Sequence, residues 1–147
     1  MLLIKGGETD CHVNFQFFAP RGLTVQGYFD DFTTPLSDGC PSCGSSLSRR
    51  FSFVTHPPLL AVDLGENVPY PESVLSIRCD GIAQQYNLRG IIYFSADHFT
   101  ARLITRNQMV WFHNGIFTGR SLVHEGSLPT FDLPLENAVT AIYVRSP

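Results

Sequence analysis

The stretch YNLRGIIYFSADHFTARLITRNQMVWFHNG, residues 86–115, decides the fold of this chain. It is rich in β-branched and aromatic residues and is interrupted by Ser-Ala-Asp at 95–97 and by Arg-Asn-Gln at 106–108. This pattern predicts three consecutive strands joined by two tight turns. His98 opens the second strand and Asn114 ends the third. Strands joined by tight turns are antiparallel, so we expect the two side chains to lie side by side across the strand pair.

Strand patterns continue on both sides of this stretch. They cover residues 12–18, 23–29, 49–55, 59–64, 74–79 and 138–145. A Pro-Arg-Gly turn at residues 20–22 predicts a hairpin between the first two of these strands. A short helical turn is expected only within residues 29–36 or 119–125. The predicted fold class is mainly β, α+β at most, built on an antiparallel sheet.

Composition limits the classes of function. The chain has 147 residues, of which 44% are hydrophobic and 16% charged, which is typical of one globular domain and not of a disordered segment. The net charge of −3 comes with no basic stripe, so nucleic acid is not expected as a partner. The sequence has no apolar run approaching the roughly 20 residues of a membrane span, so no membrane association is expected.

Four cysteines, Cys11, Cys40, Cys43 and Cys79, set an expectation about the compartment. The N-terminal MLLIKGGE turns polar too early for a secretory signal. We therefore expect an intracellular protein of the cytoplasm or nucleus, where thiols stay reduced and metal binding is more common than disulfides.

Cys40 and Cys43 belong to a Cys-Pro-Ser-Cys-Gly knuckle, the best metal signal in the chain. Two thiolates at this spacing can bind one side of a zinc ion, but a structural zinc site takes four ligands. Cys11, His56 and Cys79 are the candidates for the remaining positions. A knuckle that keeps its shape but has lost half of its ligands is the alternative.

Residues 86–92, 98–101, 111–114 and 141–145 together resemble the C-terminal half of the ubiquitin-specific proteases. In that family a Tyr-x-Leu strand leads to a box with the catalytic histidine, a Trp and an Asp or Asn follow, and a terminal strand ends the domain. The upstream CxxC and residues 58–64 resemble the fingers of that family leading into its palm.

The resemblance implies a division of the chain and a set of roles. It implies a single domain, 1–147, with a reduced fingers-like part at about 1–58 and a palm-like antiparallel sheet at about 59–147. It implies a cysteine-protease, deubiquitinase type of site. The implied catalytic residues are His98 and Asn114, with Cys11 as the candidate nucleophile, and the implied substrate-binding residues are Asp97, Phe99 and Trp111.

Departures from the family pattern bear on activity. Residues 7–11 only faintly resemble the box with the family's nucleophile, and the thumb segment that should follow Cys11 is missing. Asp97 stands where the family keeps small glycines, Phe99 replaces a Tyr, and the second CxxC of the fingers is absent. His98 and Asn114 alone do not hydrolyse an isopeptide bond by the acyl-enzyme route, which needs an activated thiolate.

Three hypotheses follow. The first is a ubiquitin-specific-protease-like module, a pseudoenzyme on its own, that binds ubiquitin, a ubiquitin-like protein or a complementary protein segment. The second is an active minimal hydrolase that uses Cys11, His98 and Asn114. The third is an unrelated β-rich interaction domain. A half-domain exposes an apolar face where the thumb would pack, so self-association is also expected.

Overall fold

A computed structural model describes residues 14–15, 24–31, 33–35, 48–50, 53, 55–64, 70–79 and 81–147. Within these residues there are ten strands and one short helix. They are β1 (Asn14–Phe15), α1 (Val25–Asp31), β2 (Thr33–Pro35), β3 (Ser48–Arg50), β4 (Leu59–Asp63), β5 (Val74–Cys79), β6 (Ile82–Ser95), β7 (His98–Ile104), β8 (Met109–His113), β9 (Val123–Ser127) and β10 (Ala138–Arg145).

Eight of the described strands form one sheet in the order β1-β4-β10-β6-β7-β8-β9, and β5 also pairs with β6. All pairings in it are antiparallel except that of β1 with β4. A separate antiparallel pair joins β2 to β3. The predicted fold class, mainly β with an antiparallel sheet, is confirmed.

Strand β6 is the centre of the sheet. Its first half pairs with β5 and its second half with β7 along the same side, while β10 pairs with its opposite side. The three strands and two turns predicted for residues 86–115 are confirmed, with the first strand beginning earlier, at Ile82. Gly90 lies where β7 approaches closely, because a Cβ atom there would be 3.3 Å from the carbonyl oxygen of Arg102.

The hydrophobic core lies on one face of this sheet. Strands β4 and β5 alternate between buried and more exposed residues, as expected for strands with one face on a core. The buried cluster consists of Val25, Leu60, Val62, Leu64, Leu75, Ile77, Tyr86, Leu88, Ile91, Tyr93, Ile104, Ala138, Ala141 and Tyr143. Val25 of α1 is fully buried in it, and the segment after β9 adds Leu128, Leu133 and Leu135 from the same side.

The strand predicted at residues 23–29 is wrong from residue 25 onward, because residues 25–31 form α1. The turn predicted at residues 20–22 lies outside the described residues. The Thr24 hydroxyl accepts a hydrogen bond from the Gly27 backbone amide at 3.0 Å, as an N-cap does. The backbone amide of Gln26 donates to the Glu72 carboxylate at 3.3 Å. The cap and this distant carboxylate satisfy two of the backbone amides at the start of the helix. These hydrogen bonds favour the helix more than the alternating pattern of residues 23–29 favours a strand.

The side chain of Gln26 also pairs with the outer edge of β5. Its amide nitrogen donates to the Ser76 carbonyl oxygen at 3.0 Å, and its amide oxygen accepts from the Ser76 backbone N–H at 2.7 Å. Ser76 is opposite Gln85 in the β5–β6 ladder. In an antiparallel pair, alternate residues direct both backbone groups away from the partner strand, and Gln26 binds both of these groups.

Strand β9 was not predicted, and a bulge explains why its pattern is weak. Val110 pairs with Gly126 and Trp111 with His124, so Glu125 is an extra residue between two ladder pairs. The Glu125 carboxylate accepts two hydrogen bonds from the Arg102 guanidinium, at 2.7 and 3.0 Å. The same guanidinium lies over the rings of Tyr93 and Phe112, about 5 Å from their centroids.

No helix in the described part of the chain combines the length and the apolar character that crossing a bilayer requires.

The hydroxyl of Tyr86 gives the fold a pH dependence. It donates to the Pro57 carbonyl oxygen at 2.8 Å, and burial raises the pKa of Tyr86 to about 12, although the charge of Arg145 lowers it in part. A raised pKa means that the unfolded chain loses this proton at lower pH than the native state. The stabilisation is therefore complete below about pH 10, the pKa of an unperturbed tyrosine, and is lost as the pH rises toward 12.

We predict that the free energy of unfolding falls between about pH 10 and pH 12, by up to ~1.4 kcal/mol per pH unit from this group. In Tyr86→Phe the slope over this range should be shallower, with a loss of about 1 kcal/mol at neutral pH for the hydrogen bond. Urea unfolding at a series of pH values measures both. Tyr70→Phe is the matched control because Tyr70 is 61% exposed, and its slope should equal that of the wild type. An unchanged slope in Tyr86→Phe would contradict the assignment.

Candidate functional site

A two-residue turn carries His98 to the end of the sheet. Ser95 pairs with His98 across the turn, and the two residues between them, Ala96 and Asp97, have φ angles of 49° and 59°. Positive φ at both central positions is typical of a type I′ hairpin, whose twist matches that of the flanking strands. The turn fixes His98 as the first residue of β7, with Asp97 exposed beside it.

The imidazole of His98 contacts the side chain of Asn114, the first residue after β8. The distance from Nε2 of His98 to Oδ1 of Asn114 is 2.9 Å. Asn114 is 7% exposed, and it is the one polar residue in the buried set among the described residues. The predicted contact between the two side chains is thus present, and their catalytic role stays a prediction.

The surroundings of the Asn114 side chain determine which atoms donate. The Oδ1 atom also accepts backbone N–H bonds from Ile116 at 3.0 Å and from Phe117 at 3.2 Å. Two N–H donors require the carbonyl oxygen of the amide at this position, since an NH₂ group accepts no hydrogen bond. The third contact therefore comes from a protonated Nε2 of His98. In the neutral imidazole the lone pair then resides on Nδ1, the nitrogen that can act as a base.

His98 and Asn114 share the core face of the sheet. Every second residue of a strand lies on the same face, so His98 shares a face with Arg102 and Ile104 of β7. Residues directly opposite each other in a ladder also share a face, which continues this face onto the neighbouring strands. Ile104 is 3% exposed and belongs to the core cluster. The pair therefore lies where the core face reaches the end of the sheet.

Phe99 and Trp111 lie on the opposite face. Phe99 pairs with Phe94, and their ring centroids are 4.7 Å apart. The Trp111 ring packs on the ring of His124 at 5.0 Å. Phe99 is 61% exposed, which makes this second face partly apolar and open to solvent. The structure thus brings His98 and Asn114 together, leaves Asp97 exposed in the turn before His98, and places Phe99 and Trp111 on the other face. The binding roles of Asp97, Phe99 and Trp111 stay predictions, and so does self-association.

A histidine oriented by an asparagine oxygen forms the second half of a Cys-His-Asn arrangement. The described cysteine, Cys79, is far from it. Cys79 pairs with Ile82 at one end of β6, and His98 pairs with Ser95 at the other. Thirteen residues of strand at about 3.3 Å each separate these ends by roughly 40 Å. The Cys79 thiol donates to the Phe53 carbonyl oxygen at 2.9 Å.

The other three cysteines, Cys11, Cys40 and Cys43, lie outside the described residues.

Zinc binding at Cys40 and Cys43 stays a prediction. Of the remaining candidate ligands, His56 directs Nε2 toward the Ile77 carbonyl oxygen, at 3.3 Å. Among the residues that the structure describes, His, Cys, Asp and Glu side chains form no group of three or more that would hold a metal ion.

The sequence allowed Asn114, just before Gly115, to be an ordinary turn residue, but it did not predict the part of Thr118 in this turn. The turn begins with Asn-Gly, and the Asn114 carbonyl oxygen accepts the Thr118 backbone N–H at 2.7 Å. An Asn-Gly pair followed by a threonine is a usable turn signal, because both Asn and Thr side chains bond nearby backbone groups.

No protein-family model and no curated protein sequence matches this chain. Its fold, however, is similar to part of a deubiquitinase module of the ubiquitin-specific-protease type.

Structures of the SAGA DUB module Ubp8/Sgf11/Sus1/Sgf73 have this fold. With the module bound to ubiquitin aldehyde, the match has a TM-score of 0.62 at 12% identity and covers 92% of this chain and 36% of the solved chain. With monoubiquitin bound, the match has a TM-score of 0.59 at 14% identity and covers 84% of this chain and 33% of the solved chain. The chain spans about a third of the length of these solved chains, and at such identity the similarity concerns the fold alone.

We predict that Ala96→Gly stabilises the protein by about 1 kcal/mol, because alanine is strained at positive φ and glycine is not. Thermal unfolding should show a midpoint raised by a few degrees. Ala83→Gly is the matched control, since Ala83 is an exposed residue within β6, where glycine should lower the midpoint. Equal lowering in both variants would show that the turn is not strained.

Asn114→Ala should lower the free energy of unfolding by about 1–3 kcal/mol, because it leaves three donors near a buried position without their acceptor. Asn114→Asp keeps an acceptor oxygen and should cost less. Denaturant titration compares the two, with Gln85→Ala at an exposed position of β6 as the control, expected within about 0.5 kcal/mol of the wild type. A loss in Asn114→Ala no larger than in the control would contradict the shared-acceptor geometry.

Proposed function

We propose that this chain is a ubiquitin-specific-protease-like module that binds ubiquitin or a ubiquitin-like protein and is catalytically incomplete on its own. The observation that carries the proposal is the 2.9 Å contact between His98 Nε2 and Asn114 Oδ1. This contact holds the imidazole in the orientation and tautomer that a thiol protease needs. The pair lies at the end of a sheet whose fold is similar to that of the solved deubiquitinase-module chains.

The geometry supports a site and not an ordinary strand histidine. The Asn114 oxygen is held by two backbone amides in addition to His98, so it does not turn freely when a partner binds. An acceptor fixed in this way orients the ring before a partner arrives, which lowers the cost of binding.

The absence of a nearby thiol among the described residues supports the second part of the proposal. An imidazole accelerates acyl transfer only when a nucleophile lies within hydrogen-bond reach. Cys79 is at the far end of β6, and the other three cysteines, Cys11, Cys40 and Cys43, lie outside the described residues. In this proposal the cysteine of an active site comes from a complementary protein segment, in keeping with a chain that spans a third of the solved chains it matches.

The choice of partner follows from the solved structures. Two of them contain monoubiquitin or ubiquitin aldehyde bound to the SAGA DUB module. Carried over as a proposal, this makes ubiquitin the first ligand to test. It also suggests an intracellular site of action.

We predict that ubiquitin binds the wild-type chain and that His98→Ala weakens the affinity about tenfold, a loss of ~1.4 kcal/mol from one contact. Isothermal titration calorimetry measures the two dissociation constants. Gln85→Ala is the control because Gln85 is an exposed residue near the other end of β6, and its affinity should be unchanged.

An electrophilic ubiquitin probe separates binding from catalysis. The proposal expects binding without covalent labelling. Labelling of Cys11 that disappears in His98→Ala would show an enzyme complete in this chain and would overturn the second part of the proposal. If ubiquitin does not bind the wild-type chain, the first part of the proposal fails.

A further inference from the structure

Thr118 binds the backbone of Asn114 from two sides. Its hydroxyl oxygen accepts the Asn114 backbone N–H at 3.1 Å, and the hydroxyl donates to the Asn114 carbonyl oxygen at 2.8 Å. The Thr118 backbone N–H donates to the same carbonyl oxygen at 2.7 Å. One residue thus satisfies both backbone polar groups of Asn114.

These bonds matter because the ladder ends before Asn114. The last pair between β7 and β8 joins Ala101 to His113, one residue earlier. A residue just beyond a ladder has no partner strand to fix its backbone, and its side-chain direction is set by whatever holds the next turn. For Asn114, Thr118 holds the backbone, while the amides of Ile116 and Phe117 bind the side-chain oxygen.

We infer that Thr118 is a positioning residue for the His98–Asn114 pair. By holding the Asn114 backbone, it directs Oδ1 toward Nε2 of His98. Thr118 does not touch the imidazole of His98 in the described contacts and acts through Asn114. The meaning of the pair as a site rests on the proposed function, while the positioning itself is a statement about hydrogen-bond geometry.

A purely structural role for Thr118 is the competing explanation, and the chain offers a matched case. The Thr130 hydroxyl donates to the Ser127 carbonyl oxygen at 2.7 Å in another exposed turn. Both threonines therefore stabilise a turn, but only the turn of Thr118 contains a residue bonded to His98. The Thr118 hydroxyl also lies 3.4 Å from Nδ1 of His113, so that ring must be distinguished from His98 in any measurement.

The test follows the Nε2 proton of His98 by NMR on the whole chain, with His98→Gln used to assign its signal. In the wild type this hydrogen-bonded proton should give a downfield signal that exchanges slowly with water. Thr118→Val keeps the shape of the side chain but removes the hydroxyl, and we expect exchange at least about tenfold faster or loss of the signal. Thr118→Ser should restore the signal, and Thr130→Val should leave it unchanged.

Three results would overturn the inference: no protected Nε2 proton in the wild type, an unchanged signal in Thr118→Val, or an equal change in Thr130→Val. Thermal unfolding of each variant checks that it is folded, and Thr118→Ala repeats the test if the valine variant is not. Ubiquitin titration of the same proteins distinguishes the two proposals. Wild-type binding with an unchanged signal in Thr118→Val refutes the positioning role alone, and a lost signal without wild-type binding refutes the proposed function alone.

Discussion

The backbone pairing of β6 is the constraint on which the rest of the sheet depends. Its fourteen residues bond to β10 along one side and to β5 and then β7 along the other. A strand paired on both sides and buried over its central residues has no freedom to slip, because a shift of one residue would exchange its faces. The length of β6 therefore sets the distance between the two ends of the sheet, and with it the distance between Cys79 and His98.

The candidate site uses the place where this regular pairing stops. At one end of β6 a two-residue turn leads directly into His98, and β8 ends one residue before Asn114. Backbone groups that no longer pair within a ladder must find other partners, and here they find side chains. The Asn114 oxygen serves the imidazole and two amides at once. The same hydrogen bonds thus close the end of the sheet and orient a titratable ring.

Much of this arrangement could be predicted from the sequence, for physical reasons. The strands of residues 86–115 have strong β-propensity and clear turn signals, and the antiparallel rule then brings His98 to Asn114. Helix α1 could not be predicted because Glu72, forty-six residues away from Gln26, supplies one of its first acceptors. Strand β9 was hidden by the bulge at Glu125, which breaks the period of two. The sheet face on which Phe99 and Trp111 lie depends on the pairing register of the strands. A resemblance of motifs gives no information on that register.

The amide of Gln26, paired with both backbone groups of Ser76, has a consequence for association between chains. An edge strand offers a row of donors and acceptors to any other extended chain, and among the described strands β5 pairs only with β6, which leaves its outer side as such an edge. A primary amide presents one donor and one acceptor, as a peptide group does, and so completes the ladder at this point without extending it. A second polypeptide that approached β5 here would have to displace that amide first. A single side chain of the short helix thereby occupies the edge of β5 at Ser76, where an added strand would form its hydrogen bonds.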